Sequence, residues 1–169
     1  ADRDAGAQFG ADHAFSELVH LAAPAGVRDS LIDPYAYVQS NVMGHLGMLE
    51  AARRLPTWRH FVYASSSSVY GANQTMPFRE TDRVDTPVSL YAATKRAEEL
   101  MSHAYAHLLA LPPTGLRFFP VYGPWGRPGM AYVRFARATV AGGPTRLCDG
   151  GREQRDFACV DERVGWGGG

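Results

Sequence analysis

Phe61-Val62-Tyr63-Ala64-Ser65-Ser66-Ser67-Ser68 is an unbroken apolar run that passes straight into four serines. A short apolar run with aromatic and β-branched members reads as a buried strand, here Phe61 to Ala64, and the serines as the polar turn that ends it. On its amino-terminal side, Val38, Val42, Leu46 and Leu49 recur at intervals of three and four, which predicts a helix from Tyr35 to about Arg54 with that face inward. Asp33-Pro34 opens it, the proline fixing the first-turn dihedral. Further upstream, Leu18 to Ala23 reads as another buried strand that stops at Pro24-Ala25-Gly26. On the carboxyl side, a second helix is predicted from about Leu90 to Leu109, with Ala93, Ala97, Leu100, Met101, Ala104 and Leu108 inward, ending before Pro112-Pro113. Gly115 to Phe119 follows as a third strand, then a Gly- and Pro-rich loop from Tyr122 to Met130, and a helix from Ala131 to Val140 stopped by Gly142-Gly143-Pro144. Strands alternating with helices imply right-handed βαβ crossovers and a parallel sheet covered on both faces. In such sheets ligands bind outside the carboxyl ends of the strands, where Pro24 to Arg28, Ser65 to Ser68 and Pro120 to Arg127 all lie.

The composition of the 169 residues, 46% hydrophobic and 20% charged, suits a globular domain with a core of its own. Seventeen basic residues balance seventeen acidic ones without long runs of either sign, so there is no electrostatic track for nucleic acid and no patch for an anionic membrane. A small-molecule ligand is the expectation. Cys148 and Cys159 form no disulfide framework and no metal-ligand spacing, which fits a reducing cytoplasm. No stretch approaches eighteen apolar residues, and Ala1-Asp2-Arg3-Asp4 is charged where a signal peptide needs apolar residues, so the expected location is cytoplasmic.

The chemistry concentrates in Tyr91-Ala92-Ala93-Thr94-Lys95, where a phenol and an ammonium stand one helical turn apart on one face. A nearby ammonium favours the phenolate and pulls the tyrosine pKa down, which turns a poor base into a usable one. The alternative is a tyrosine and lysine on a solvated helix face. Lys95 is the only lysine in a chain that otherwise uses arginine, and a compact ammonium with three rotatable donors does what a guanidinium fork cannot. The serine hydroxyls after the second strand can share a sugar-hydroxyl proton with the phenol, or simply make a serine-rich turn.

The strings HLAAPAGVR (residues 20–28), FVYASSSSVYG (61–71), PVSLYAATK (87–95) and RFFPVYGPWGRP (117–128), in that order, resemble the extended short-chain dehydrogenase/reductase superfamily, and within it the UDP-glucuronate 4-epimerases. The resemblance implies a partial Rossmann-type, doubly wound parallel sheet with a tightly held NAD and a UDP-sugar substrate. It implies Tyr91 as catalytic base, Lys95 on the nicotinamide ribose and Ser66 as hydroxyl partner. Cofactor contacts are implied for Leu21, Ala22, Ala23, Gly26, Asn41, Ser65, Phe118 and Val121 as well as Tyr91 and Lys95. Substrate contacts are implied for Ser67, Pro120, Arg127 and Arg155, with Arg127 near the sugar carboxylate and Arg155 near the diphosphate. The implied reaction is inversion at C4, UDP-glucuronate to UDP-galacturonate, in an enzyme that is a homodimer in its full-length form and pairs through the two long helices.

The chain departs from that pattern in three places. No GxxGxxG turn occurs, so the first βαβ unit and its pyrophosphate site are expected to be absent, with residues 1–144 forming a partial NAD-binding domain. Residues 145–169 are then the truncated start of a substrate lobe, ending in an atypical Gly-rich tail. Pro120 stands where the epimerases carry a small hydroxyl residue. Related dehydratases and decarboxylases are the nearest alternatives, but they place acidic groups where this chain has Ser67 and Ser68. A non-catalytic remnant is the alternative from another class, and uncovered apolar surface is expected to make the isolated chain aggregation-prone.

Overall fold

The structure is a computed structural model that describes residues 13, 15–55, 58–145, 147 and 157–162. The chain divides into two compact units, Ala1–Phe118 and Phe119–Gly169. In the first unit, β1 (Glu17–His20), β2 (His60–Ser66) and β3 (Pro113–Phe118) form one sheet in that spatial order. All pairs are parallel, with Phe61 beside Leu18, Tyr63 beside both His20 and Gly115, and Ser66 beside Phe118. Gly115 is required there, because a Cβ would come within 2.5 Å of the Tyr63 hydroxyl oxygen.

Both crossovers step the same way across the sheet, and crossovers of one hand then place their helices on one face. Leu49, Phe61 and Tyr63 form the core on that face, with Leu18, Met48, Trp58, Met101 and Tyr105 packed around them. Among the described residues, nothing covers the second face at β1, where Val19, on the opposite side from Leu18 and His20, is 65% exposed.

The first helix is continuous but not uniform. After a four-residue turn, α1 (Asp29–Ile32), come α2 (Pro34–Tyr37), a π-helical segment (Val38–Met43) and α3 (Gly44–Ala52). The Asp33 side chain caps the start by accepting from the Ala36 amide at 3.1 Å. The wider π turn changes which residues face inward. Tyr37, Asn41, His45, Leu49 and Ala52 are buried, whereas Val38 is exposed and Val42 and Leu46 only half-buried, so the predicted Val38/Val42/Leu46 face is corrected.

The long helix α4 (Leu90–Leu109) has the predicted ends, with the Ser89 side chain accepting from the Ala92 amide at 3.1 Å. Its buried residues are Ala92, Thr94, Lys95, Glu98 and Ser102, while Leu100 and Leu108 are 54% and 74% exposed. Of the predicted inner face, Met101 does pack on the core, while Leu100, Ala104 and Leu108 are exposed and are corrected. The physical reason is that the facing helix presents Asn41 and His45, so polar groups on α4 find partners inside.

Strand β2 runs two residues further than predicted, through Ser66, before a 3₁₀ turn over Ser67–Tyr70. Gly71 follows at φ 59°, where a Cβ would strike the Thr86 carbonyl. In the second unit, β4 (Val121–Tyr122) pairs in parallel with β5 (Ala158–Cys159), and α5 spans Ala131–Val140 as predicted.

Candidate functional site

Lys95 anchors the site in the first unit. Its side chain is only 3% exposed, which rules out the solvated-face alternative. The ammonium donates to the Ala64 carbonyl at 2.8 Å, at the carboxyl end of β2, and to the Glu98 carboxylate at 3.1 Å. Tyr91 stands one turn earlier, half-buried, with its ring edge-on to Tyr37 at 6.2 Å. Its backbone is pinned twice: the amide donates to the Ser30 hydroxyl at 3.3 Å and the carbonyl accepts from the Thr94 hydroxyl at 2.8 Å. Ser30 in turn donates to the Val27 carbonyl at 2.7 Å, which ties the loop after β1 to the start of α4.

Asn41 ties the same elements together from the π turn. Its amide donates to the Thr94 hydroxyl at 3.0 Å and to the Pro24 carbonyl at 3.3 Å, while its own buried Oδ1 has no hydrogen-bond partner among the described residues. The π geometry thus brings a polar side chain to the loop that carries Ala22, Ala23 and Gly26. Gly26 has φ 142°, a conformation that glycine alone adopts easily. Leu21, at the head of that loop, is 60% exposed.

The serines have separate tasks. Ser65 is buried and donates to the Glu99 carboxylate at 2.6 Å, so any ligand contact at Ser65 falls to its backbone. The Ser66 hydroxyl accepts from the Ser68 amide at 3.2 Å, which leaves its proton to donate. Ser67 opens the 3₁₀ turn, and Phe118 lies beside Ser66 at the end of β3. Tyr91, Lys95, Ser65, Ser66, Ser67, Asn41, Phe118 and the β1 loop therefore all belong to the carboxyl-terminal side of one parallel sheet or to the helices packed on it.

Pro120, Val121 and Arg127 belong to the second unit. The Pro120 carbonyl accepts from the Ala158 amide at 2.9 Å, Val121 pairs with Ala158, and the Arg127 carbonyl accepts from the Met130 amide at 3.0 Å. Arg155 lies outside the described residues, as does Cys148.

The sequence reading missed the groups behind Lys95. Glu98 and His45 are fully buried, with His45 Nε2 2.8 Å from the Ser102 hydroxyl and Nδ1 3.9 Å from Glu98. Burial, then the neighbouring His20 and Lys95, push the His45 pKa down to about 3. Burial pushes Glu98 up to about 7 against the pull of Lys95. Glu99 differs: burial raises its pKa, but hydrogen bonds from Arg117 and Ser65 outweigh that and hold it below the ordinary range. The missed signal is a polar residue at helical spacing on each helix, 41/45 and 95/98/102.

Among the described residues, no cluster of His, Cys, Asp or Glu could hold a metal ion, and no helix is long and apolar enough to cross a membrane.

Three parallel strands in the order β1-β2-β3 with helices as crossovers make a Rossmann-type α/β architecture. The chain belongs to the NAD dependent epimerase/dehydratase family, whose model matches residues 1–164. It is 52% identical over 147 residues to a probable UDP-glucuronate 4-epimerase of Rhizobium meliloti, covering 87% of this chain and 43% of that protein. It is 49% identical over 154 residues to UDP-glucuronate 4-epimerase 1 of Arabidopsis thaliana, covering 89% of this chain and 36% of that one. Among solved structures it is similar to the UDP-glucuronic acid 4-epimerase of Bacillus cereus in complex with UDP-glucuronic acid and NAD. That match has a TM-score of 0.86 at 32% identity and covers 97% of this chain and 50% of the other. The UDP-glucose 4-epimerase of Thermotoga maritima gives a TM-score of 0.90 at 27% identity, covering 96% and 54%. The chain thus spans about half the length of the relatives it matches.

Proposed function

We propose that this chain is the catalytic segment of an NAD-dependent UDP-sugar 4-epimerase that acts on UDP-glucuronate. The observation that carries the reading is Lys95, an ammonium held inside the fold at the end of β2, one helical turn from Tyr91. The residues present fit the dinucleotide. The loop of Ala22, Ala23 and Gly26 offers close backbone approach, Asn41 braces it, and Lys95 retains a third donor for a ribose hydroxyl. When bound, NAD supplies a reversible hydride acceptor, which inversion at a carbon without an acidic proton requires.

Tyr91 exchanges the proton of the C4 hydroxyl, with the Lys95 ammonium favouring its phenolate. The Ser66 hydroxyl donates to the same sugar oxygen and keeps it oriented. Arg127 supplies a fork suited to the uronate carboxylate, and Arg155 a cation for the diphosphate. Ser67 and Ser68, where dehydratases and decarboxylases need an acid, leave C5 and C6 without a proton carrier. The relatives named above, UDP-glucuronate 4-epimerases from a bacterium and a plant, support the choice of substrate.

The partner in the full-length protein is a second copy. Tyr35 and Val38 on the first helical stretch and Leu100 and Leu108 on α4 are exposed apolar residues on the two elements assigned to pairing. We place the enzyme in the cytoplasm, in line with its two unpaired-spacing cysteines. Incubating the protein with UDP-glucuronate and resolving the products tests the function. UDP-galacturonate without net NADH is the expected product, and a decarboxylated or unsaturated sugar in its place overturns the reading.

A further inference from the structure

We propose that Glu98 is a positioning residue that sets the place and charge environment of Lys95, with His45 and Ser102 completing a buried chain behind it. The ribose role of Lys95 in this proposal rests on the function proposed above; the Glu98–Lys95 coupling does not.

The geometry is specific. Both side chains are almost wholly buried, 3% and 2% exposed, and the ammonium lies 3.1 Å from each Glu98 oxygen. With the Ala64 carbonyl taking a second N–H at 2.8 Å, two of three donors are directed into the protein. The third direction is thereby fixed, which is what a residue aimed at one ribose hydroxyl requires. Glu98 is itself confined by the helix it shares with Lys95 and by His45, whose Nδ1 lies 3.9 Å from the carboxylate. Ser102 holds the other His45 nitrogen at 2.8 Å.

Glu98 and Glu99 are adjacent yet differently surrounded. Glu99 receives hydrogen bonds from Ser65, Arg96 and Arg117 at 2.6 to 3.0 Å. The groups facing Glu98 are Lys95 and Glu99 on its own helix, His45 from α3, and behind them His20 on β1 and Tyr63 on β2. Burial raises the Glu98 carboxyl to about 7, against the pull of the Lys95 ammonium and with a small push from Glu99. Ionised, Glu98 grips Lys95; protonated, it releases part of the ammonium field toward Tyr91.

Lys95 is the only lysine in the chain, so protein labelled with [15N]lysine carries one side-chain signal, identified by its loss in Lys95→Arg. The expected result is a step in the Lys95 Nζ shift with a midpoint near pH 7 that disappears in Glu98→Gln. No step, or the same step in Glu98→Gln, overturns the coupling. If Glu98→Gln does not fold, wild-type protein labelled with [13C]glutamate gives the same decision: a carboxyl that titrates together with the lysine signal supports the proposal, and its absence overturns it. Adding NAD to wild-type protein is expected to shift the lysine signal. A pH step without an NAD response removes Lys95 from the dinucleotide site, and with it the ribose half of the proposal, while the coupling stands.

Discussion

The two faces of the helix Leu90–Leu109 do not sort by polarity as a soluble amphipathic helix usually does. Thr94, Lys95, Glu98 and Ser102 are buried beside Ala92 and the core-packed Met101 and Tyr105, while Leu100 and Leu108 point outward at 54% and 74% exposure. What holds it is that each inward polar group has a partner: Thr94 has Asn41, Lys95 has Glu98 and the Ala64 carbonyl, and Ser102 has His45. A buried ion pair contributes little net stability, yet removing one partner is costly because the other charge is left behind. The inner face thus holds the Lys95 ammonium at the end of β2, and the outer face leaves Leu100 and Leu108 in water.

Breaking the inner face at its reactive end should give the largest effect. Tyr91→Phe keeps the ring on Tyr37 and removes only the hydroxyl, so kcat in the UDP-glucuronate assay is expected to fall by about 10²–10⁴-fold. The variant should remain folded, because the ring keeps its contact with Tyr37. A variant that keeps most of its turnover would show that the inner face does not serve chemistry.

The pH dependence of stability separates the two acid–base groups behind Lys95, because their contributions have opposite signs. His45 is lowered from 6.5 to about 3 in the folded state, so its contribution is present above pH 6.5 and is lost as pH falls towards 3. The shift corresponds to a loss on the order of 3–5 kcal/mol. Glu98 is raised from 4.5 to about 7, so its contribution is present below pH 4.5 and is lost as pH rises through 7. Denaturant melts should show that His45→Gln flattens the acid limb. Relative to wild type, Glu98→Gln should gain stability between pH 4.5 and 7. Parallel curves for all three proteins would mean that the inner face is not electrostatically coupled to folding.

Much of this was legible in the sequence, for identifiable reasons. Asp33-Pro34 and Pro112-Pro113 set helix ends through local backbone constraints, and the Phe61–Ala64 part of the second strand and the Tyr91/Lys95 pair are local patterns. The inward sides of both helices were not legible. A polar stripe such as 95/98/102 has the same composition as a solvated face, and only the arrival of His45, more than fifty residues earlier in the chain, makes it interior. The π turn added a second error, because its wider winding brings Asn41 inward in place of Val38 and Val42. Nothing in the local composition of Val38–Met43 announces that winding.

Asn41 offers a smaller perturbation that tests whether the inner face is one connected unit. Asn41→Ala removes the bonds to the Thr94 hydroxyl and the Pro24 carbonyl, and the buried groups left unpaired should cost about 1–3 kcal/mol. Because Pro24 lies in the loop assigned to the dinucleotide, NAD affinity should fall alongside stability. Equal loss of stability in a variant with full NAD affinity would separate the brace from the site.

The outer face should respond least in stability and most in assembly. Leu100→Ser and Leu108→Ser replace residues that the single chain leaves largely in water, so each should change monomer stability by no more than about 0.5 kcal/mol. If the outer face receives a second copy, the same replacements remove apolar area from that contact. Each should then weaken dimerisation by about tenfold, the equivalent of roughly 1.4 kcal/mol. Sedimentation of wild type and variants across a concentration series reads this directly. A concentration-dependent dimer that the serine variants lose would explain why leucines face outward on a helix whose interior is polar. An unaltered dimer would place the pairing surface elsewhere, and a wild type that only forms heterogeneous aggregates would identify the outer face as uncovered core rather than as an interface.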